Sequence, residues 1–240
     1  MRKFFAIDAG NSFLKLGIFQ DLKLKQVYRI DYANPELPSE IGELHGGIIS
    51  SVVPSRYAEL MNIANKLAVG NPLFLDYKNV CAIKIDYQTP ELLGADRIAL
   101  AIAGYYFYSA INQKPTLIVS CGSAITVNLI TPERIFKGGA IFPGVSMMLN
   151  SLHSGAEKLP TVDWKAMRPQ ISNHTHRAII SGVSSCIAGA INEFRRLVTP
   201  HTLVLTGGDA QRISHLVELP YTIEPELALK GLGIEYIKRT

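Results

Sequence analysis

Residues 117–124 read Leu-Ile-Val-Ser-Cys-Gly-Ser-Ala, and residues 125–130 continue with mainly apolar side chains. This pattern predicts a buried strand, a tight turn containing a glycine, and a second strand. The same pattern opens the chain, where the apolar run 4–7 is followed by Asp-Ala-Gly-Asn-Ser at 8–12 and by a second run at 13–19. A strand–turn–strand unit that occurs twice indicates a duplicated α/β chain.

The remaining apolar runs predict further elements around these hairpins. Additional strands are expected at 26–30, 47–53, 72–75 and 203–205. Helices are expected at 57–69, 93–111, 145–152, 176–198, 210–216 and 228–237, with Gly182 and Gly189 allowing close packing of the helix at 176–198. The break at Lys114-Pro115 predicts two domains, residues 1–112 and 113–240.

Composition narrows the class of protein. The chain has 240 residues, of which 48% are hydrophobic and 18% charged, as is typical of a globular protein. A net charge of +4 does not indicate nucleic-acid binding, and no apolar run approaches the roughly 20 residues that span a bilayer. The acid at position 8 is atypical of a signal peptide, so a cytoplasmic location is expected. Three widely spaced cysteines, Cys81, Cys121 and Cys186, are expected to be reduced and buried.

Three predicted strands end in glycine-containing turns, at 8–12, 120–124 and 206–209. Glycine lets backbone amides approach a ligand closely, which is how loops bind phosphate oxygens. One such turn is also ordinary hairpin chemistry. Three of them favour a nucleotide held between two lobes. The sequence contains neither a P-loop nor a Rossmann glycine motif, so those two nucleotide sites are disfavoured.

The ordered set of motifs resembles the type III pantothenate kinase family over nearly the whole chain. The set comprises Asp8–Ser12 with Lys15, Gly94–Arg97, Gly122–Ala124 with Thr126, Gly138-Gly139 with Pro143-Gly144, and Thr206–Gly208. The resemblance implies an α/β fold of two duplicated actin-like (ribonuclease H-like) domains with a nucleotide cleft between them. It also implies phosphorylation of pantothenate by ATP, the first step of coenzyme A biosynthesis, in a homodimer.

The resemblance further implies roles for individual residues. Asp96 corresponds to the catalytic base. Contacts with pantothenate are implied for Tyr87, Gly94, Ala95, Arg97 and Thr175. Contacts with ATP are implied for Asp8, Ala9, Gly10, Asn11, Ser12, Lys15, Gly122, Ser123, Ala124, Thr206, Gly207 and Gly208. The Gly138, Gly139, Pro143 and Gly144 stretch is expected to line the cleft floor or to form a turn required by packing.

Physical chemistry refines three of these roles. Asp8 suits Mg²⁺ held through water, although a turn-capping aspartate is the alternative. Lys15 reaches the phosphates as a point charge or is an exposed strand lysine. Asp96 either acts on the substrate or stabilises the start of a helix. As a base, its place beside Arg97 and the positive helix end is expected to favour the ionised form without a raised pKa.

Two positions depart from the family pattern. Ser120 stands where the family has an aspartate that helps bind a monovalent cation, K⁺ or NH₄⁺, and Asn128 stands at a second aspartate position. The milder expectation is an altered cation dependence. A regulatory relative without catalysis is the alternative function. A third alternative is an actin-like phosphotransferase or phosphatase that acts on a sugar or polyphosphate, which Tyr87 and the Gly-Ala-Asp-Arg stretch disfavour.

Overall fold

A computed structural model describes residues 2–38, 41, 43–68, 70–165, 167–199 and 201–240. The chain forms two compact units. The first comprises Met1–Gln113, Ile130–Lys137 and Glu226–Thr240, and the second comprises Lys114–Leu129 and Gly138–Pro225. The division into domains at residues 112 and 113 stays a prediction.

The first unit is built on a mixed sheet whose order, within the described residues, is β3-β2-β1-β4-β5. The strands are β1 Lys3–Ala9, β2 Phe13–Gln20, β3 Lys23–Asp31, β4 Gly47–Ser51 and β5 Leu73–Phe74. The predicted opening hairpin is confirmed, because β1 and β2 pair antiparallel. In this sheet Asp8 lies beside Lys15 on β2 and beside Ser50 on the parallel strand β4.

The helices of the first unit are α1 Tyr57–Leu67, α2 Ala95–Gly104, α3 Ala110–Asn112 and α7 Leu227–Arg239. A π-helical turn, Tyr105–Ser109, joins α2 to α3, so the predicted helix at 93–111 is confirmed with a later start. The predicted helix at 57–69 ends at Leu67, and Val69 lies outside the described residues.

Helix α2 is buried along almost its whole length, as its continuous apolar composition predicts. It packs against α7 at backbone distance, because a β-carbon placed on Gly231 would lie 1.9 Å from the carbonyl oxygen of Ala99. Only glycine permits that approach. The α2–α7 contact therefore fixes the helix whose first turn contains Asp96.

A buried carboxylate on α7 anchors the segment that leads to Tyr87. Glu235 is fully buried and accepts hydrogen bonds from the backbone N–H groups of Cys81, at 2.8 Å, and Ala82, at 3.0 Å. These bonds satisfy a carboxylate that would otherwise be costly to bury. Downstream, β6 (Lys84–Ile85) pairs in parallel with Ile135 and Phe136.

The second unit is built on strands that follow the order β11-β10-β7-β8-β9 within the described residues, although the first three residues of β9 belong to the first unit. The strands are β7 Thr116–Cys121, β8 Ala124–Ile130, β9 Ile135–Pro143, β10 Thr202–Thr206 and β11 Thr222–Ile223, and the helices are α4 Val145–Gly155, α5 Thr175–Leu197 and α6 Ala210–Ile213. The strands β10 and β7 pair in parallel, with Thr206 opposite Ser120. The turns that follow these two strands therefore lie at the same edge of the sheet.

The glycine-rich stretch from residue 137 to 143 belongs to strand β9 and not to a turn, and packing requires Gly139 because a β-carbon would lie 1.9 Å from the carbonyl oxygen of Val127. That this stretch lines the cleft floor stays a prediction. Two other sequence-based expectations are wrong. A β-carbon on Gly182 or Gly189 would meet no atom within 4 Å, so neither glycine serves close packing. Of the cysteines only Cys121 is buried, since Cys81 and Cys186 are exposed.

The described residues contain no helix long and apolar enough to cross a membrane.

Candidate functional site

The acidic group of the first turn lies at the end of a buried strand. Residues 4–7 of β1 are buried and carry the chain to Asp8, which retains slight exposure while protein atoms surround its carboxyl. The turn then closes with a hydrogen bond from the N–H of Gly10 to the carbonyl of Phe13, at 3.2 Å. Asn11 and Ser12 stay exposed at its tip. The turn thus presents exposed backbone beside a shielded carboxyl.

Asp8 has a pKa near neutrality. Burial is the largest cause, and the carboxylate of Asp96 adds to it, so that the pKa of Asp8 is raised from 3.8 to about 7. Lys15 opposes the rise, whereas Glu226 adds to it. Because Asp8 and Asp96 are close enough to raise the pKa of Asp8, the structure brings the two principal acidic candidates together. A nearby cation would favour the charged form of Asp8.

Oxygen ligands around Asp8 fit a magnesium ion. The described residues contain no cluster of three or more His, Cys, Asp or Glu side chains that could hold a metal by themselves. However, the fully buried hydroxyl of Ser50 makes no hydrogen bond of normal geometry, although it lies close enough to favour the charged carboxylate of Asp8. Mg²⁺ usually keeps several waters and takes one or two protein oxygens together with phosphate oxygens. The carboxyl of Asp8, supported by Ser50, suits that arrangement.

Asp96 is the second residue of α2, two positions after the N-cap residue Gly94. Its carboxyl folds back over that glycine, since a β-carbon on Gly94 would lie 2.4 Å from Oδ1 of Asp96. Burial raises the pKa of Asp96, and hydrogen bonds from the backbone of Arg97 and the charge of Arg97 only partly oppose the rise. The expectation that the helix end and Arg97 would dominate is therefore wrong. A base with a raised pKa accepts a proton more readily.

Arg97 and Tyr87 lie together in the first unit. Arg97 is buried, its Nη1 lies 3.5 Å from the hydroxyl of Tyr87, and its guanidinium lies 5.5 Å from the ring centre of Phe136. Of the two other candidates that precede Arg97 on this segment, Ala95 is buried and Gly94 is partly exposed. A guanidinium presented from an aromatic surround is suited to a carboxylate, because its planar fork matches two oxygens.

Lys15 is held by an acidic residue that the sequence did not reveal as a candidate. Its Nζ lies 3.1 Å from Oε2 of Glu226, just before α7, and both side chains are largely shielded from solvent. Lys15 is therefore not a freely exposed strand lysine. Glu226 lies 211 residues further along the chain, so no local pattern pointed to it.

The glycine turns of the second unit pack against one another. Gly122 closes its own hairpin by donating to the carbonyl of Ala124, and the N–H of Gly144 donates to the carbonyl of Ser123 at 3.0 Å. Gly207 has a φ of +92°, and a β-carbon there would lie 2.4 Å from the carbonyl oxygen of Cys121. Packing therefore requires glycine at position 144, as one of the two expectations for it holds. The turns after β7 and β10 together form one glycine-lined edge of the sheet.

Gly208 differs from its neighbour Gly207. It is exposed, and a β-carbon there would meet no atom within 4 Å. Packing therefore does not require glycine at position 208. Thr206, the last residue of β10, is buried.

The remaining candidates of the second unit differ in exposure. Ser120 is partly exposed, whereas Asn128 is fully buried and donates from Nδ2 to the hydroxyl of Thr126 at 3.0 Å. An uncharged amide suits that buried position better than an aspartate would. Thr175 is exposed at the first residue of α5.

Comparisons with known proteins give the family. A family model described as type III pantothenate kinase matches residues 4–196. A protein of Fervidobacterium nodosum named Type III pantothenate kinase is 31% identical over 246 residues, with 95% of each chain covered.

Solved structures share the fold at lower identity. A Campylobacter jejuni protein described as a Baf family transcriptional activator superposes with a TM-score of 0.66 at 20% identity, over 98% of each chain. A ROK hexokinase of Thermus thermophilus superposes with a TM-score of 0.52 at 13% identity, over 99% of this chain and 100% of that one. The predicted α/β class with an actin-like fold is confirmed, and the chain belongs to the type III pantothenate kinase family.

Proposed function

We propose that this chain transfers the γ-phosphoryl group of ATP to the hydroxyl of pantothenate, which yields 4′-phosphopantothenate in the first step of coenzyme A biosynthesis. The observation that carries the proposal is that the charge of Asp96 acts on the shielded carboxyl of Asp8, in a chain of this family. One carboxyl suits a cation at the phosphates. The other, with its raised pKa, suits the proton of the attacking alcohol.

Asp96 supplies the general base in this proposal. Its carboxylate accepts a hydrogen bond from the pantothenate hydroxyl and orients the oxygen toward the γ-phosphorus. As the new O–P bond forms, the bond between the γ-phosphorus and the β,γ-bridging oxygen breaks and ADP leaves. The hydroxyl proton passes to Asp96. Because phosphoryl transfer is largely dissociative, orientation contributes as much as basicity.

Asp8, supported by Ser50, would hold Mg²⁺. When bound, the ion neutralises charge on the transferred and leaving phosphates. The exposed residues Asn11 and Ser12 donate backbone amides to phosphate oxygens, while Gly10, whose N–H is held by Phe13, lets the nucleotide approach closely. Lys15 adds a positive charge once the nucleotide competes with Glu226. Ala9, Gly122, Ser123, Ala124, Thr206, Gly207 and Gly208 complete the proposed ATP contacts.

Arg97 binds the carboxylate of pantothenate in this proposal, with Tyr87, Gly94, Ala95 and Thr175 as further contacts. The proposal includes a homodimer and a monovalent cation whose effect is reduced by Ser120, since serine supplies an oxygen without a charge.

The deciding experiment follows ADP release with Mg²⁺, in the presence and absence of pantothenate, for the wild type, Asp96→Asn and the exposed control Glu91→Gln. We expect pantothenate-dependent ADP release, a turnover about 10²–10⁴-fold lower for Asp96→Asn, and little change for Glu91→Gln. ATP binding without transfer, with either K⁺ or NH₄⁺ present, would reject the kinase assignment in favour of a regulatory protein.

A further inference from the structure

Tyr32, the residue that follows β3, contacts the turn at residues 8–12. Its hydroxyl donates a hydrogen bond to the carbonyl oxygen of Gly10 at 2.7 Å, across 22 residues of sequence. Gly10 is also fixed through its N–H, which donates to Phe13. Both polar groups of the glycine are thus held by protein partners.

The bond to Tyr32 determines where the next amide points. The Gly10–Asn11 peptide is not among the cis bonds of the described chain, and in a trans peptide the C=O and the following N–H point in opposite directions. When Tyr32 holds the carbonyl of Gly10, the N–H of Asn11 is turned away from the phenol. Asn11 is exposed, so this amide is available to an anion.

A second contact fixes Tyr32 itself. The guanidinium of Arg56 lies 3.8 Å from the centre of the Tyr32 ring, and Arg56 Nη1 pairs with Glu59 Oε2 at 2.7 Å. Stacking of an arginine on an aromatic face is favourable and restricts the ring. Burial raises the pKa of Tyr32, so the phenol remains a donor at neutral pH.

We propose that Tyr32 is a positioning residue that orients the Asn11 amide toward the phosphates of ATP, with Arg56 holding its ring. The inference rests on the proposed function in one respect, since it takes a nucleotide phosphate as the ligand of the 8–12 turn. Tyr32 itself touches the turn and not the reacting atoms.

The test compares Tyr32→Phe with a matched control, Tyr28→Phe, on the strand that immediately precedes Tyr32. Phenylalanine keeps the ring beneath Arg56 and removes only the hydroxyl. We expect KM for ATP, and the dissociation constant of a non-hydrolysable ATP analogue measured by calorimetry, to rise about 3–10-fold for Tyr32→Phe. The turnover number and KM for pantothenate should stay within about twofold of the wild type. Tyr28→Phe should resemble the wild type throughout.

Arg56→Gln gives a second route should Tyr32→Phe fold poorly. It leaves the phenol in place and frees the ring, so we expect a smaller rise in the same dissociation constant, about 2–3-fold. The proposal is overturned when Tyr32→Phe and Arg56→Gln both keep wild-type ATP affinity, or when Tyr28→Phe loses as much ATP affinity as Tyr32→Phe. It is also overturned when KM for pantothenate rises as much as KM for ATP.

The binding measurement separates this inference from the proposed function. A wild type that binds the ATP analogue but does not phosphorylate pantothenate would refute the proposed function and leave the Tyr32 comparison decisive. A wild type that binds no ATP analogue would refute both.

Discussion

The carboxyl of Asp96 occupies the space in which a side chain on Gly94 would lie. A β-carbon at position 94 would approach Oδ1 of Asp96 to 2.4 Å, closer than real contacts allow. The backbone φ of Gly94 is −60°, a value that any residue adopts. Glycine is therefore needed here for the position of the carboxyl and not for the backbone.

Gly94→Ala should consequently reduce turnover while the protein stays folded. The methyl group displaces the Asp96 carboxyl, and a small misplacement of a catalytic group costs about tenfold or more in rate. The measurement is steady-state ADP release together with the melting temperature. Gly189→Ala serves as the control, because its β-carbon meets open space on α5 and alanine there favours the helix by about 0.5–1 kcal/mol. An unchanged turnover for Gly94→Ala would show that the carboxyl is free to move.

The metal-free protein should lose stability as the pH rises from about 4 to about 7. Asp8 has a pKa of about 7 in the folded chain and 3.8 as its ordinary value, so over that interval the folded state retains a proton that the unfolded state has lost. The free energy of unfolding then falls with pH and levels off above 7, by roughly 2–4 kcal/mol from this group.

Urea unfolding at several pH values tests this dependence. Asp8→Asn should flatten the slope, although Asp96, whose pKa is also raised, keeps part of it. Mg²⁺ should restore stability at pH 8 in the wild type and not in Asp8→Asn. Equal slopes for the wild type and Asp8→Asn would contradict the assignment.

Ser120→Asp should increase the stimulation of activity by K⁺ or NH₄⁺. Ser120 is only partly buried, so a carboxylate can be accommodated there and would attract a monovalent cation. Ser120→Asn, similar in size and uncharged, is the control. The assay compares rates with K⁺, NH₄⁺ and a large organic cation at constant ionic strength. A response to cations that is the same in all three proteins would remove position 120 from the ion site.

Gly207→Ala and Gly208→Ala should behave differently. At position 207 a β-carbon would strike the backbone of Cys121 and the φ of +92° disfavours alanine, so we expect a loss of more than about 2 kcal/mol in stability. At position 208 the space is open, so stability should be retained while KM for ATP rises several-fold. Denaturant unfolding and initial rates distinguish the two effects. A Gly208→Ala protein with unchanged KM for ATP would exclude close nucleotide approach at that residue.

The hairpins and most helices could be predicted because their signals are local. Apolar runs interrupted by small-residue turns specify β1–β2 and β7–β8, and continuous apolar character specifies α2. Strand β9 escaped prediction because Gly138 and Gly139 are typical of turns. The reason for Gly139 is the approach of the Val127 carbonyl from a neighbouring strand, which no local pattern records.

The sequence indicated which residue types form the candidate site, but not how burial changes the pKa values of its acidic groups. Position 96 follows from the motif, whereas the raised pKa of Asp96 depends on how deeply the folded chain buries it. Tyr32 and Glu226 could not be found in advance, because each acts on a residue far away in sequence, Gly10 and Lys15 respectively. Such partners become visible only when the tertiary contacts are known.

Gly231 gives the final helix an influence beyond its own surface. Its backbone contacts the backbone of Ala99, one helical turn away from Asp96. The distance between the axes of α2 and α7 therefore determines the position of Asp96. Any larger residue at 231 would act as a wedge that tilts the start of α2. A substitution at Gly231, near the C-terminus, can therefore lower the activity proposed for Asp96, although the two residues lie far apart in sequence.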